Sequence, residues 1–115
     1  MTEQRLDDYL AHIREAAQDA LVFVEGLQIE EFLEDKRTQQ AVIMSLVILG
    51  EASTKVMDKY PEFAAAHPDV PWRSMRTMRN RIAHGYFDIN LEIVWQTVKS
   101  ALPDLLGVLP SQTQR

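Results

Sequence analysis

Apolar residues recur at three- and four-residue steps from the start of the chain: Leu6, Tyr9, Leu10, Ile13, Ala16, Ala17, Ala20, Leu21 and Val24. That spacing predicts an amphipathic helix from near Thr2 to about Val24, with Gly26 as its stop. A short apolar cluster of Leu27, Ile29, Phe32 and Leu33 reads as a turn of helix packed under the loop. Asp35 is a good N-cap for a second long helix, continuing to about Tyr60, and Pro61 ends it. The centre of this helix, Ala41 to Gly50, is apolar nearly all round. A helix of that kind is either central in a bundle or buried against another subunit.

Three prolines, Pro61, Pro68 and Pro71, mark a loop with room for one helical turn. Pro71 suits the first turn of a helix from Trp72 to about His84, whose apolar edge is Trp72, Met75, Met78 or Arg79, and Ile82. Gly85 suits its exit. Asp88-Ile89-Asn90 then caps a final helix from Leu91 through about Leu102, with Ile93, Val94, Trp95, Val98, Ala101 and Leu102 on its buried side. Pro103 is placed to kink it before Leu105, Leu106, Val108 and Leu109, and Ser111 to Arg115 read as a frayed tail. Four long helices without a convincing strand predict an all-α bundle. At 115 residues, one domain spanning 1–115 is expected.

Composition narrows the function classes. No cysteine is present, which excludes a disulfide scaffold and thiolate metal sites and makes a reducing cytosol the natural compartment. The first residues lack the basic-then-apolar pattern of a signal peptide. The longest apolar run, Ala41 to Leu49 interrupted by Ser45, falls well short of the ~20 residues that cross a bilayer, so no membrane segment is expected. The net charge of −5 argues against a general nucleic-acid binder. Yet Arg73, Arg76, Arg79 and Arg81 stand against Asp88 alone between Pro71 and Asn90, which leaves that segment basic and the rest acidic. This asymmetry suggests a local anion site.

The segment Met78 to Phe87 concentrates the candidate chemistry: Arg79, Asn80, His84 and Tyr86, with Gly85 between the last two. Arg79 can grip a phosphate through its planar fork, His84 can move protons near neutral pH, and Asn80 can orient either partner. These are the minimum parts for metal-independent RNA cleavage. On a straight helix, however, five residues turn through about 500°, so Arg79 and His84 point about 140° apart. They converge only if the helix unwinds at Gly85 or if a second copy of the segment faces the first, as a two-fold axis would arrange. The plainer alternative is a solvated arginine-rich helix whose histidine complements the dipole. Tyr86 alone reads as a ring on the bundle with its hydroxyl in water.

Glu51 follows the apolar run directly, one turn after Val47 on the same face, and calls for a cationic partner from the motif helix. His12 and Glu15 form His-x-x-Glu, not the Glu-x-x-His of di-iron bundles, so a dinuclear metal site is not expected. His67, before Pro68, supports no specific role.

Arg79-Asn80, three residues, then His84-Gly85-Tyr86 resembles the Arg-x4-His-x-Tyr signature of HepT-like toxins, a branch of the HEPN ribonuclease superfamily. Leu49-Gly50-Glu51-Ala52, Val70-Pro71-Trp72, Leu91 to Trp95 and Leu102-Pro103 resemble further family elements in the same order, covering nearly the whole chain. The resemblance implies an antiparallel four- to five-helix bundle that forms a homodimer with the motif at its interface. It implies a cofactor-free RNA-cleaving toxin in which Arg79 and His84 match the catalytic pair and Asn80 the polar residue after the arginine. It also implies a nucleotidyltransferase antitoxin of the MntA type that transfers AMP to Tyr86 and silences the toxin. Glu51 and Arg76 are carried as supporting residues, Glu51 bracing Arg79 or Arg76. Two other readings stay open. One is a non-catalytic dimeric partner of the nucleotidyltransferase that binds nucleotide or carries AMP; the other is a helical interaction protein whose motif only holds a dimer.

Overall fold

The computed structural model describes residues 2–110, with side chains from Arg5 onward; the predicted frayed tail, Ser111 to Arg115, lies outside the described residues. The described residues contain helices and turns and no strand. Helix α1 spans Thr2–Phe23, α2 Ile29–Leu33, α3 Lys36–Lys59, α4 Pro61–Ala66 and α5 Trp72–His84. A 3₁₀ turn at Tyr86–Asp88 precedes α6 (Leu91–Gln96), a π turn (Thr97–Ala101) and α7 (Leu102–Val108).

The ends of α1 and α3 follow from local chemistry. Gly26 adopts φ +80°, a left-handed conformation that glycine takes without a Cβ penalty, and it turns the chain after α1. Asp35 caps α3 by accepting from the Thr38 backbone N–H at 3.1 Å and from its hydroxyl at 2.6 Å. The Thr38 hydroxyl, then its backbone N–H, hold the Asp35 carboxyl below the usual aspartate range. Pro61 does more than end α3, since it is the first residue of α4. Pro71 sits one position earlier than expected, at the N-cap of α5.

Helix α3 is the spine, packed by α1 on one side and α5 on another. Leu10, Ile13, Ala17 and Ala20 of α1 meet Val42, Leu46, Leu49 and Val56 of α3 in a core closed by Val94, Val98, Leu102 and Leu105. Phe32 is fully buried and packs on Trp95 with ring centroids 5.3 Å apart, so the short helix α2 contributes a core anchor. Burial of one such side chain stabilises by about 1.5–3 kcal/mol. By length and composition α3 could pass for a membrane span, but half of its most apolar window is buried inside the bundle.

Two expectations for the last helix need correction. Ile93 is exposed, and so is Ala101. The buried line is narrower, Val94, Val98, Leu102, Leu105 and Leu109. A π turn interrupts the segment after α6. The Leu102 N–H reaches back to the Thr97 carbonyl, five residues away, just ahead of Pro103, which has no N–H to offer. Ile93 and Ala101 lie about 100° round the helix from the buried Val94 and Leu102, outside that line. Arg14 then fixes the end of the segment by donating to the Leu109 and Pro110 carbonyls at 3.2 and 3.0 Å.

Candidate functional site

Helices α3 and α5 meet in an antiparallel crossing that sets the site. The buried Ser53 hydroxyl donates to the Trp72 carbonyl at 2.9 Å, and one turn back along α3 Gly50 lies under Met75 and Arg79. A Cβ built on Gly50 would overlap the Arg79 Cβ and lie 2.8 Å from the Met75 carbonyl oxygen. Only glycine permits this approach, and the approach brings the first turn after Gly50 level with Arg79. Trp72 secures the start of α5, because its indole N–H bridges the Ala64 and His67 carbonyls, each at 3.1 Å.

At the crossing, Arg79 donates to Glu51, forming the ion pair that the position of Glu51 requires. A second nitrogen of the same guanidinium donates to the Asn80 side-chain oxygen at 2.9 Å. Two of the five guanidinium N–H groups are thereby engaged, which leaves three for another ligand. The side chains of Arg79 and Glu51 are 34% and 44% exposed, so the pair is braced yet open to solvent.

Arg76, the other candidate partner of Glu51, pairs instead with Asp58 at 2.8 Å, and its Nε lies 3.4 Å from the Thr54 hydroxyl. Thr54 in turn donates to the Gly50 carbonyl. Arg76 therefore braces the same crossing from its other side. The basic segment is consequently less basic than its composition: two of its four arginines are matched by acids of α3. Arg73 and Arg81 are exposed and form no ion pair with a described residue.

His84 is the last residue of α5, exposed, with no hydrogen bond from its imidazole to another described side chain. The helix does not unwind before it: the Gly85 N–H bonds the Arg81 carbonyl at 2.9 Å, the ordinary helical step. Of the two ways to bring Arg79 and His84 together, unwinding is therefore not used. Within one chain Arg79 turns toward α3 and His84 faces solvent. Tyr86 begins the 3₁₀ turn closed by Asp88 N–H to the Gly85 carbonyl at 2.9 Å, and its half-exposed ring stands edge-on to Phe87 at 5.9 Å. The outer face of α3 beside Glu51 is apolar and uncovered, with Met44 57% and Ile48 42% exposed. A groove of about 310 Å³ runs there, lined by Tyr9, His12, Val47, Ile48, Glu51 and Lys55 among others. His12, expected to be simply surface, thus borders the same groove as Glu51. No signal in the sequence set it apart.

The fold and site together define a small all-helical bundle in which an arginine is braced by a carboxylate and an exposed histidine ends the same helix five residues further on. The comparison with known proteins is specific: the family model described as Ribonuclease HepT-like matches residues 8–111. The chain belongs to the HepT-like ribonuclease family. A protein of Thermococcus cleftensis named "Probable ribonuclease HepT" is 42% identical over 100 residues, covering 87% of this chain and 88% of that protein. A protein of Methanocaldococcus jannaschii named "Putative RNase MJ0127" is 36% identical over 104 residues, covering 90% and 84% of the two chains. No solved structure gives a significant match.

Proposed function

We propose that this chain is the toxin of a toxin–antitoxin pair, a cytosolic endoribonuclease that cleaves tRNA or mRNA without a metal at a site shared by two copies of the chain. The observation that carries the reading is the division of the motif: Glu51 and Asn80 hold Arg79 at the α3–α5 crossing, while His84 leaves the same helix free and turned away. A second copy laid against the uncovered Met44–Ile48 face of α3 would bring another His84 and another Arg79 into reach and cover that face. The names of the relatives support RNA as the substrate.

In this reading the His84 imidazole takes the proton of a ribose 2′-hydroxyl. The 2′-oxygen attacks phosphorus, the bond to the 5′-oxygen breaks, and that oxygen leaves with a proton from an imidazolium. The products are a 2′,3′-cyclic phosphate and a 5′-hydroxyl. The remaining Arg79 N–H groups offset the charge that builds on the phosphoryl oxygens. Glu51, Asn80 and Arg76 act as positioning residues. Silencing follows the family resemblance. A nucleotidyltransferase antitoxin of the MntA type presents ATP, the Tyr86 hydroxyl oxygen attacks the α-phosphorus, pyrophosphate leaves and the phenolic proton is released. The 46% exposure of Tyr86 supports its access to such a partner.

The test is cleavage of total RNA by purified protein in excess EDTA, wild type against His84→Ala. Cleavage by the wild type alone supports the reading. Equal cleavage by both rejects the role of His84. Intact RNA with both, together with harmless expression of the chain alone, favours the non-catalytic partner of the nucleotidyltransferase.

A further inference from the structure

Beyond His84 the chain forms a second concave feature that the cleavage chemistry does not use. A cleft of about 320 Å³ is lined by Lys36, Gln39, Gln40 and Ile43 of α3 and by Tyr86, Phe87, Ile89 and Leu91. Its size lies at the lower end of ligand clefts, which run from about 300 to 1,000 Å³. The apolar part is formed by Ile43, buried to 6% exposure, with Ile89 and Leu91 half-buried. The polar part is one ammonium and two carboxamides. Gln39 donates its side-chain nitrogen to the Phe32 carbonyl at 2.9 Å, which ties it to the fully buried anchor of α2 and leaves its oxygen as an acceptor. Gln40 is exposed and uncommitted to a described residue. Phe87, at the mouth, is 98% exposed.

A phenylalanine in that position buries nothing and stabilises nothing within the chain. The 3₁₀ turn closed on Gly85 sets the backbone that presents it, and Tyr86 stands edge-on to its ring. A presented aromatic face, carboxamides able to bond a base edge, and a nearby lysine for phosphate together match one unit of single-stranded RNA. The placement fits a strand that passes the proposed site. Tyr86 lies two residues past His84, and Ile43 lies eight residues, about 12 Å along α3, before Glu51.

We infer that this cleft is a nucleobase-binding subsite, with Phe87 as the stacking platform, Gln39 and Gln40 reading the base edge, and Lys36 on the adjoining phosphate. The inference rests on the ribonuclease reading for its biological substrate. Its test does not depend on cleavage.

The experiment measures binding of 2′-O-methyl homopolymers of A, C, G and U, which carry no nucleophile, to the full chain. The wild type is expected to rank the four bases. Phe87→Ala is expected to weaken binding about tenfold and flatten the ranking, while Phe87→Trp retains both. Gln40→Ala is expected to change the ranking with a smaller overall loss. Lys36→Gln is expected to lower affinity evenly and reduce the salt dependence by about one phosphate contact. Because Phe87 is outside the core, its variants are expected to melt with the wild type. Wild-type affinity and ranking in Phe87→Ala would overturn the subsite, as would a change in its oligomeric state by light scattering, which would assign the ring to a protein contact. A protein that shows the ranked binding but cleaves no RNA refutes the ribonuclease reading and keeps the subsite.

Discussion

Gly50 and Arg79 occupy one another's space: a Cβ on Gly50 would overlap the Cβ of Arg79. The missing side chain lets α5 sit against α3 closely enough for Arg79 to reach Glu51, one residue further along. Gly50→Ala is expected to force the helices apart, at a cost of about 1–3 kcal/mol for overpacking. That lowers the melting temperature by several degrees or more in a chain of this size. Gly107 is the internal control. It lies in α7 with nothing within 4 Å of its virtual Cβ, so Gly107→Ala is expected to leave the melting temperature unchanged or raise it slightly. Thermal melts of the two variants side by side check the pair.

Glu51 is expected to matter more for activity than for stability. Both members of its ion pair with Arg79 are more than one-third exposed, and such pairs contribute only up to about 1 kcal/mol. Glu51→Gln keeps the shape of the side chain and removes its charge. The variant is expected to melt within a few degrees of the wild type, while RNA cleavage falls by tenfold or more because Arg79 is no longer held at the crossing. Parallel measurement of melting and cleavage separates a positioning residue from a merely structural one.

The fold was largely legible because apolar spacing and caps report directly on helices. The stripe from Leu6 to Val24, the cap at Asp35 and the stop at Gly26 each correspond to an observed feature. Ile93 and Ala101 were misplaced because apolarity alone assigns a broad buried face, whereas the observed one is a single line of Val94, Val98, Leu102, Leu105 and Leu109. In the motif region, residue types announced Arg79 and His84, and helical geometry announced that one chain holds them apart. The partner of Glu51 was narrowed to two arginines. Choosing Arg79 over Arg76 depends on the α3–α5 register, which Gly50 sets through a close approach that no local pattern reveals. The cleft beside Phe87 was hidden for the same reason: its walls come from segments more than forty residues apart.

The cap at Asp35 gives a pH-dependent expectation. Its carboxyl titrates below its unfolded value because Thr38 bonds the charged form. Its contribution is therefore fully present above the unfolded aspartate range, near pH 4, and is lost as pH falls through the lower folded value. Asp35→Ala is expected to be less stable than the wild type at pH 7, and the difference is expected to shrink toward zero as the buffer is taken below pH 3. Melting temperatures across that range check the sign.

The role proposed for Tyr86 gives a further expectation. Its hydroxyl has no role in the proposed cleavage step, so Tyr86→Phe is expected to retain RNA cleavage within a few-fold. Co-expressed with an MntA-type nucleotidyltransferase and ATP, the wild type is expected to gain the mass of adenylyl groups and lose activity. Tyr86→Phe is expected to gain none and stay active. Intact-mass spectrometry with a cleavage assay reads both.

The central claim is that one chain holds only part of the site, since α5 remains helical through His84 while Arg79 is tied to Glu51. The most direct measurement mixes two separately inactive proteins, Arg79→Ala and His84→Ala, under conditions that exchange subunits, and follows RNA cleavage. Recovery of activity in the mixture, absent from either protein alone, is the result predicted, because a mixed pair places one intact arginine opposite one intact histidine. A mixture as inactive as its components, with subunit exchange verified by mass, would contradict the account.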